Sequence, residues 1–134
     1  MTYLKIFLIG LMLSVLGMAG CSSNSAVSSG FGTGGGYSIN LTATQTNIPQ
    51  GGSTTLIASV RDAQGNPVND STRGVTFTSS IGATITQPAS IIGGVSSTTY
   101  TAPTAANTAT PGIDQVTASY LGASAFVSIY VYKP

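Results

Sequence analysis

Residues 53–79 read STTLIASVRDAQGNPVNDSTRGVTFTS. Leu56, Ala58 and Val60 recur at every second position, and further on so do Val75 and Phe77. That period puts each set on one face of an extended strand. Between the two sets lies Asp62-Ala63-Gln64-Gly65-Asn66-Pro67-Val68, a run of turn formers. Asp62 is suited to cap the turn with its own side chain and Gly65 to take positive φ. Pro67 fixes φ where the chain re-enters a strand, with Asn66 before it as a further turn residue. The stretch reads as two half-buried strands joined by a structured loop. A calcium site built from Asp62, Asn66 and Asp70 is the competing reading of that loop, and the spacing matches no known calcium loop.

The same alternation extends in both directions. Ile39, Leu41 and Ala43 share a face in YSINLTAT, and residues 47–52, NIPQGG, read as a turn. Beyond Phe77, ATIT is a short strand and GVSSTTYTA a longer one, with Tyr100 on the expected core face. DQVTASYL turns Val116 and Ala118 inward. AFVSIYVY turns Val127, Ile129 and Val131 inward and leaves Phe126, Ser128, Tyr130 and Tyr132 on the other face. That makes about seven strands at roughly 8–12-residue spacing, the signature of a single all-β sandwich. The domain is placed at residues 37–134, with no helix of ordinary length.

Composition agrees with one strand-rich domain. The 134 residues carry only 5% charged side chains but 42% hydrophobic ones, so a core is available. A net charge of +1 gives no electrostatic grip on nucleic acid. There is no histidine, which removes a Ser-His-Asp triad and the usual zinc sites. Asp62, Asp70 and Asp114 are the only side-chain carboxylates, and each sits among turn-forming neighbours where a solvated cap is the expected role. No enzyme activity, cofactor or metal is expected.

The N-terminus reads as a processing segment. Lys5 supplies a basic start, Ile6 to Leu16 is mostly apolar, and Gly17, Ala19 and Gly20 are small. The apolar run is shorter than the roughly 20 residues that span a bilayer. Met18-Ala19-Gly20-Cys21 resembles the lipobox of bacterial lipoproteins, with Met18 standing where that motif prefers Leu. The resemblance implies a signal peptide over residues 1–20, cleavage between Gly20 and Cys21, and a diacylglyceryl group on the Cys21 thiol. Only a thiolate offers a strong nucleophile near neutral pH, which is why this position needs cysteine. Ser22 in place of Asp then implies outer-membrane localisation in the cell envelope. Residues 21–36, rich in Ser and Gly, read as a lipidated flexible tether with a reach of about 20 Å.

Residues 41–85 resemble the bacterial Ig-like domains of the invasin and intimin type (group 1). The matching features are Gly51-Gly52-Ser53-Thr54-Thr55-Leu56 before a strand, the Val60–Val68 loop, and Val75-Thr76-Phe77. Farther on, Gly94 with Tyr100-Thr101-Ala102-Pro103, and Val116-Thr117-Ala118, fall where the family has its closing strands. The segment NDSTRG, residues 69–74, is longer than the family's turn before that strand. The resemblance implies an Ig-like sandwich and a role as a surface spacer, adhesion or protein-interaction module, monomeric as a domain. Two other roles compete. Tyr120, Tyr130 and Tyr132 would form an aromatic platform for a glycan. Alternatively, the terminal strand Phe126–Tyr132 would be a free edge through which an envelope assembly adds a strand.

Overall fold

The structure is a computed structural model that describes residues 29–87, 89–104 and 112–134. Among the described residues there are ten strands: β1 Ser29–Gly34, β2 Tyr37–Ala43, β3 Asn47–Pro49, β4 Ser53–Asp62, β5 Asp70–Ser79, β6 Thr84–Ile85, β7 Ala89–Ile91, β8 Val95–Thr101, β9 Gly112–Tyr120 and β10 Ala123–Tyr132. They form two five-stranded sheets, one ordered β1-β2-β4-β8-β6 and the other β3-β10-β9-β5-β7. Setting β1 aside, β2-β4-β8-β6 facing β10-β9-β5 is the strand order of an Ig-like sandwich. β3 completes the likeness by pairing parallel to β10, so the chain changes sheet just after β2.

The alternation seen in the sequence becomes the core. Ile39, Leu41 and Ala43 from β2, and Leu56, Ala58 and Val60 from β4, are buried. So are Val75 and Phe77 from β5, Tyr100 from β8, Val116 and Ala118 from β9, and Val127, Ile129 and Val131 from β10. Each lies on the face that period two assigns to it.

Three features differ from the expectation of seven strands. First, residues 47–49 are not only a turn. Ile48 is buried, and its neighbours pair with Tyr130 and Tyr132. Second, the NDSTRG segment, from Asp70 onward, becomes the start of β5. It is held by Asp70, with an irregularity in pairing between Asp70 and Val75.

Third, the tether assigned to residues 21–36 overlaps the fold. Ser29–Gly34 pairs residue by residue with β2, and Gly35 and Gly36 make the turn at φ +58° and +80°. The reason this glycine-rich segment is ordered is close approach. A Cβ at Gly30, Gly32 or Gly34 would stand 1.9, 1.6 or 2.1 Å from the backbone oxygens of Phe126, Ser124 and Gly122 respectively. The bare face of β1 therefore lies flush on the β10 backbone, at a separation that only glycine permits. At that separation each Cα–H group faces a carbonyl oxygen, a contact worth a fraction of a kcal/mol to about 1 kcal/mol.

The register gives the sandwich two distinct ends. One end, the tip, carries the turns at Gly35–Gly36, Ala63–Pro67, Ile92–Gly94 and Leu121–Gly122. The other end, the base, carries the β2–β4 connection and the end of β10, where the Gln50 N–H donates to the Tyr132 carbonyl at 2.8 Å. β1 runs from the base side, beside Phe126, up to the tip.

Candidate interaction surface

Gly20 and Cys21, the expected cleavage and lipidation positions, lie outside the described residues. The remaining sequence-derived positions are Asp62, which ends β4, and Gly65, Asn66 and Pro67 in the tip turn after it. Asp62 Oδ1 accepts the backbone N–H groups of Gln64 at 2.9 Å and Asn66 at 2.8 Å, and Oδ2 accepts the Asn66 amide at 3.2 Å. Gly65 has φ +83°, its N–H donates to the Asp62 carbonyl, and Arg61 donates to the Gly65 carbonyl at 2.8 Å. Pro67 bridges back to Arg61. The Asn66 backbone N–H, foremost among these donors, draws the Asp62 carboxyl below its ordinary range. The carboxylate is thus occupied by its own loop.

Asp70 does similar work at the start of β5. Its Oδ1 accepts Thr72 N–H, the Thr72 hydroxyl and Arg73 N–H at 2.8–2.9 Å, and Oδ2 accepts the Tyr120 hydroxyl at 3.0 Å. The N–H groups of Arg73 and Thr72 lower its pKa from 3.8 to about 2. Because the folded value lies below the unfolded one, this contribution to stability is complete above about pH 4 and disappears as pH falls through about 2. Denaturation midpoints of the wild type and Asp70→Asn should therefore differ at neutral pH and converge between pH 4 and pH 2. A difference that stays constant over that window would remove the cap from the account.

Asp114 departs from the solvated turn role. It lies on β9, is fully buried, and accepts from Ser79, Ser80 and Tyr100. Tyr120 also departs from the aromatic platform. Its hydroxyl is engaged by Asp70, and its ring meets Tyr37 edge to face at 5.2 Å between centroids. Among the described residues no cluster of three or more potential metal-binding side chains occurs.

What remains exposed is the outer face of β9 and β10. Ile113 is 66% exposed, Phe126 55%, Tyr130 49% and Tyr132 37%. Tyr130 stands directly opposite Ile113 in the ladder. Tyr130 N–H points away from β9, to Thr46 O at 2.7 Å, so the pair is of the non-hydrogen-bonded kind, whose side chains stand closest. The rest of this face is Gln, Ser and Thr, without a charge. β10 itself is not a free edge. β3 pairs with it at Tyr130–Tyr132 and β1 covers its carbonyls from Gly122 to Phe126, so strand addition along the terminal strand is blocked. At the tip, a cleft of about 400 Å³ opens between Thr33–Ser38 and the Asp62–Gly65 turn. The apolar side chains of Ile92 and Leu121 are exposed at the same end.

No family model matches the chain, and no curated protein matches it. Among solved structures, the chain is similar to one described as the crystal structure of the Lin-41 filamin domain. The TM-score is 0.48 at 14% identity, over 78% of this chain and 99% of that chain.

Proposed function

We propose that the chain is a bacterial cell-envelope lipoprotein, anchored through Cys21. Its Ig-like domain, of the invasin and intimin type, serves as a surface spacer, adhesion or protein-interaction module without a catalytic role. The observation that carries this reading is the polarity of the fold. The chain comes into β1 from the base side, while four turns, the cleft and the exposed Ile92 and Leu121 gather at the opposite end. A domain anchored ahead of β1 would present that tip away from the bilayer. The lipobox Met18-Ala19-Gly20-Cys21 and Ser22 support anchoring, and outer-membrane placement with it.

The anchor is tested by metabolic labelling with radioactive palmitate. Label should enter the wild-type protein and be lost completely in Cys21→Ser. Equal labelling of the two would end the lipoprotein reading. The interaction role is tested by photocrosslinking from tip positions such as Gln64 in intact cells, where a discrete protein adduct is expected from the tip and not from the base.

A further inference from the structure

The exposed apolar side chains of the second sheet are not spread evenly along it. Ile113, Tyr130 and Tyr132 lie at the base, the end from which the chain comes into β1, with Phe126 farther up the same face. Lys133 follows directly, also exposed. Charged side chains divide differently between the ends. Asp62 and Asp70 belong to the tip, where Arg61 and Arg73 balance them, and Asp114 is shut inside. The base therefore combines tyrosines, an isoleucine and a lysine with no accessible side-chain carboxylate among the described residues. Tyrosine and lysine are the side chains that settle at a membrane–water interface. The ring or alkyl stem reaches the acyl boundary, and the hydroxyl or ammonium stays among the headgroups.

The order of β1 supplies the second, independent observation. Because the glycine seam fixes Ser29 onward against β10, only residues 22–28 separate Cys21 from the folded domain. Seven residues span at most about 25 Å whatever their conformation, whereas β10, at ten residues, spans about 33 Å. A short connection of that kind keeps the base within reach of the bilayer at all times. It raises the effective concentration of base side chains at the headgroups, so even weak contacts become occupied.

We infer that the Ile113–Tyr130–Tyr132–Lys133 end of the outer β9–β10 face rests on the headgroup layer of the membrane that holds the lipid anchor, setting the domain with its tip outward. This rests on the lipoprotein reading, and the test separates the two. Full-length protein is made in a bacterial host, and its lipidation is verified by mass. It is then reconstituted into phosphatidylcholine–phosphatidylglycerol vesicles containing a headgroup nitroxide lipid. A single fluorophore is placed through Ser128→Cys on the face, or through Gln64→Cys at the tip.

Lipidated protein should show several-fold stronger quenching at position 128 than at position 64. The difference should collapse in Tyr130→Ser/Tyr132→Ser, whose replaced side chains are exposed and leave the core intact. Equal quenching at both positions in lipidated protein overturns the orientation alone, and so does a difference that survives the double replacement. Absence of the lipid mass overturns the anchor and the inference together. Tyrosine-dependent binding of a neutral polysaccharide with no membrane quenching would assign the face to a glycan and overturn the inference.

Discussion

Gly32→Val is expected to lift β1 off the domain. The new Cβ would stand 1.6 Å from the Ser124 carbonyl oxygen and 2.6 Å from its carbon, both backbone atoms. Ser124 is held in turn by its ladder position opposite Ser119, so β10 has no freedom to yield. Strain of this kind costs about 1–3 kcal/mol, and β1, an edge strand laddered to β2 alone, is the side of the seam that can move away. Detachment would uncover the β10 carbonyls, leaving an unpaired edge prone to intermolecular pairing.

Hydrogen exchange would then show fast amides in β1 and continued protection in β4 and β9, together with a lower denaturation midpoint. The sign of the effect is what discriminates. Valine is a better strand former than glycine, so in a free tether or a solvated edge strand the replacement would be neutral or stabilising. Thr33→Val is the control. Thr33 is exposed on the opposite face of the same strand and should shift stability by no more than about 0.5 kcal/mol. A Gly32→Val protein with unchanged midpoint and unchanged β1 exchange would show that the seam does not exist.

β1 also marks where sequence reading stops. The strands of the core were legible because each declares its inward face with side chains of period two. Tyr100, Val116 and Val131 all fall where that period puts them. Gly30, Gly32 and Gly34 follow the same period, but the pattern is one of missing side chains, and composition alone assigns such a stretch to a linker. β3 was hidden for a different reason. Ile48 is a single apolar residue among turn formers, and its strand exists only because residues 130–132, far along the chain, present a backbone to pair with.

Asp114 did carry a signal. It is in phase with Val116 and Ala118, so the alternation that buried them placed it inward as well. Its partners could not be read, because Ser79, Ser80 and Tyr100 come together only through the sheet order. The base-to-tip polarity was likewise invisible before register was fixed. The resemblance of Met18–Cys21 to a lipobox, in contrast, is readable only in sequence, since these residues lie outside the described structure.

Asp114→Ala should damage the core as severely as the loss of a large buried apolar side chain. A buried carboxylate in a domain this poor in charge invites a catalytic reading, yet its bonding leaves nothing over for a substrate. Oδ1 accepts the Ser80 N–H at 2.8 Å and the Ser80 hydroxyl at 2.9 Å. Oδ2 accepts the Ser79 hydroxyl at 2.6 Å and the Tyr100 hydroxyl at 2.7 Å. Those four donors fill the roughly four lone-pair positions of a carboxylate. The arrangement also joins the two sheets, because Tyr100 lies on β8 and Asp114 on β9. Antibody domains join their sheets with a disulfide. With Cys21 as the only cysteine in this chain, no disulfide can form within it, and a buried hydrogen-bonded group ties the sheets.

Removing the carboxylate orphans the Tyr100 hydroxyl in the core, at about 1–3 kcal/mol, and frees the β5–β6 corner at Ser79 and Ser80. The expected total is about 3–4 kcal/mol, which for a domain of this size lowers the melting temperature by roughly 15–25 °C. Tyr100→Phe deletes one donor and leaves the other three, so it should cost about 1–2 kcal/mol. Combining the two changes closes a double-mutant cycle. Asp114→Ala should cost distinctly less in the Tyr100→Phe background, since no hydroxyl is then left unpaired. Strict additivity would place the stabilising role of Asp114 in the Ser79–Ser80 corner alone, and a loss below about 1 kcal/mol would deny it a structural role altogether.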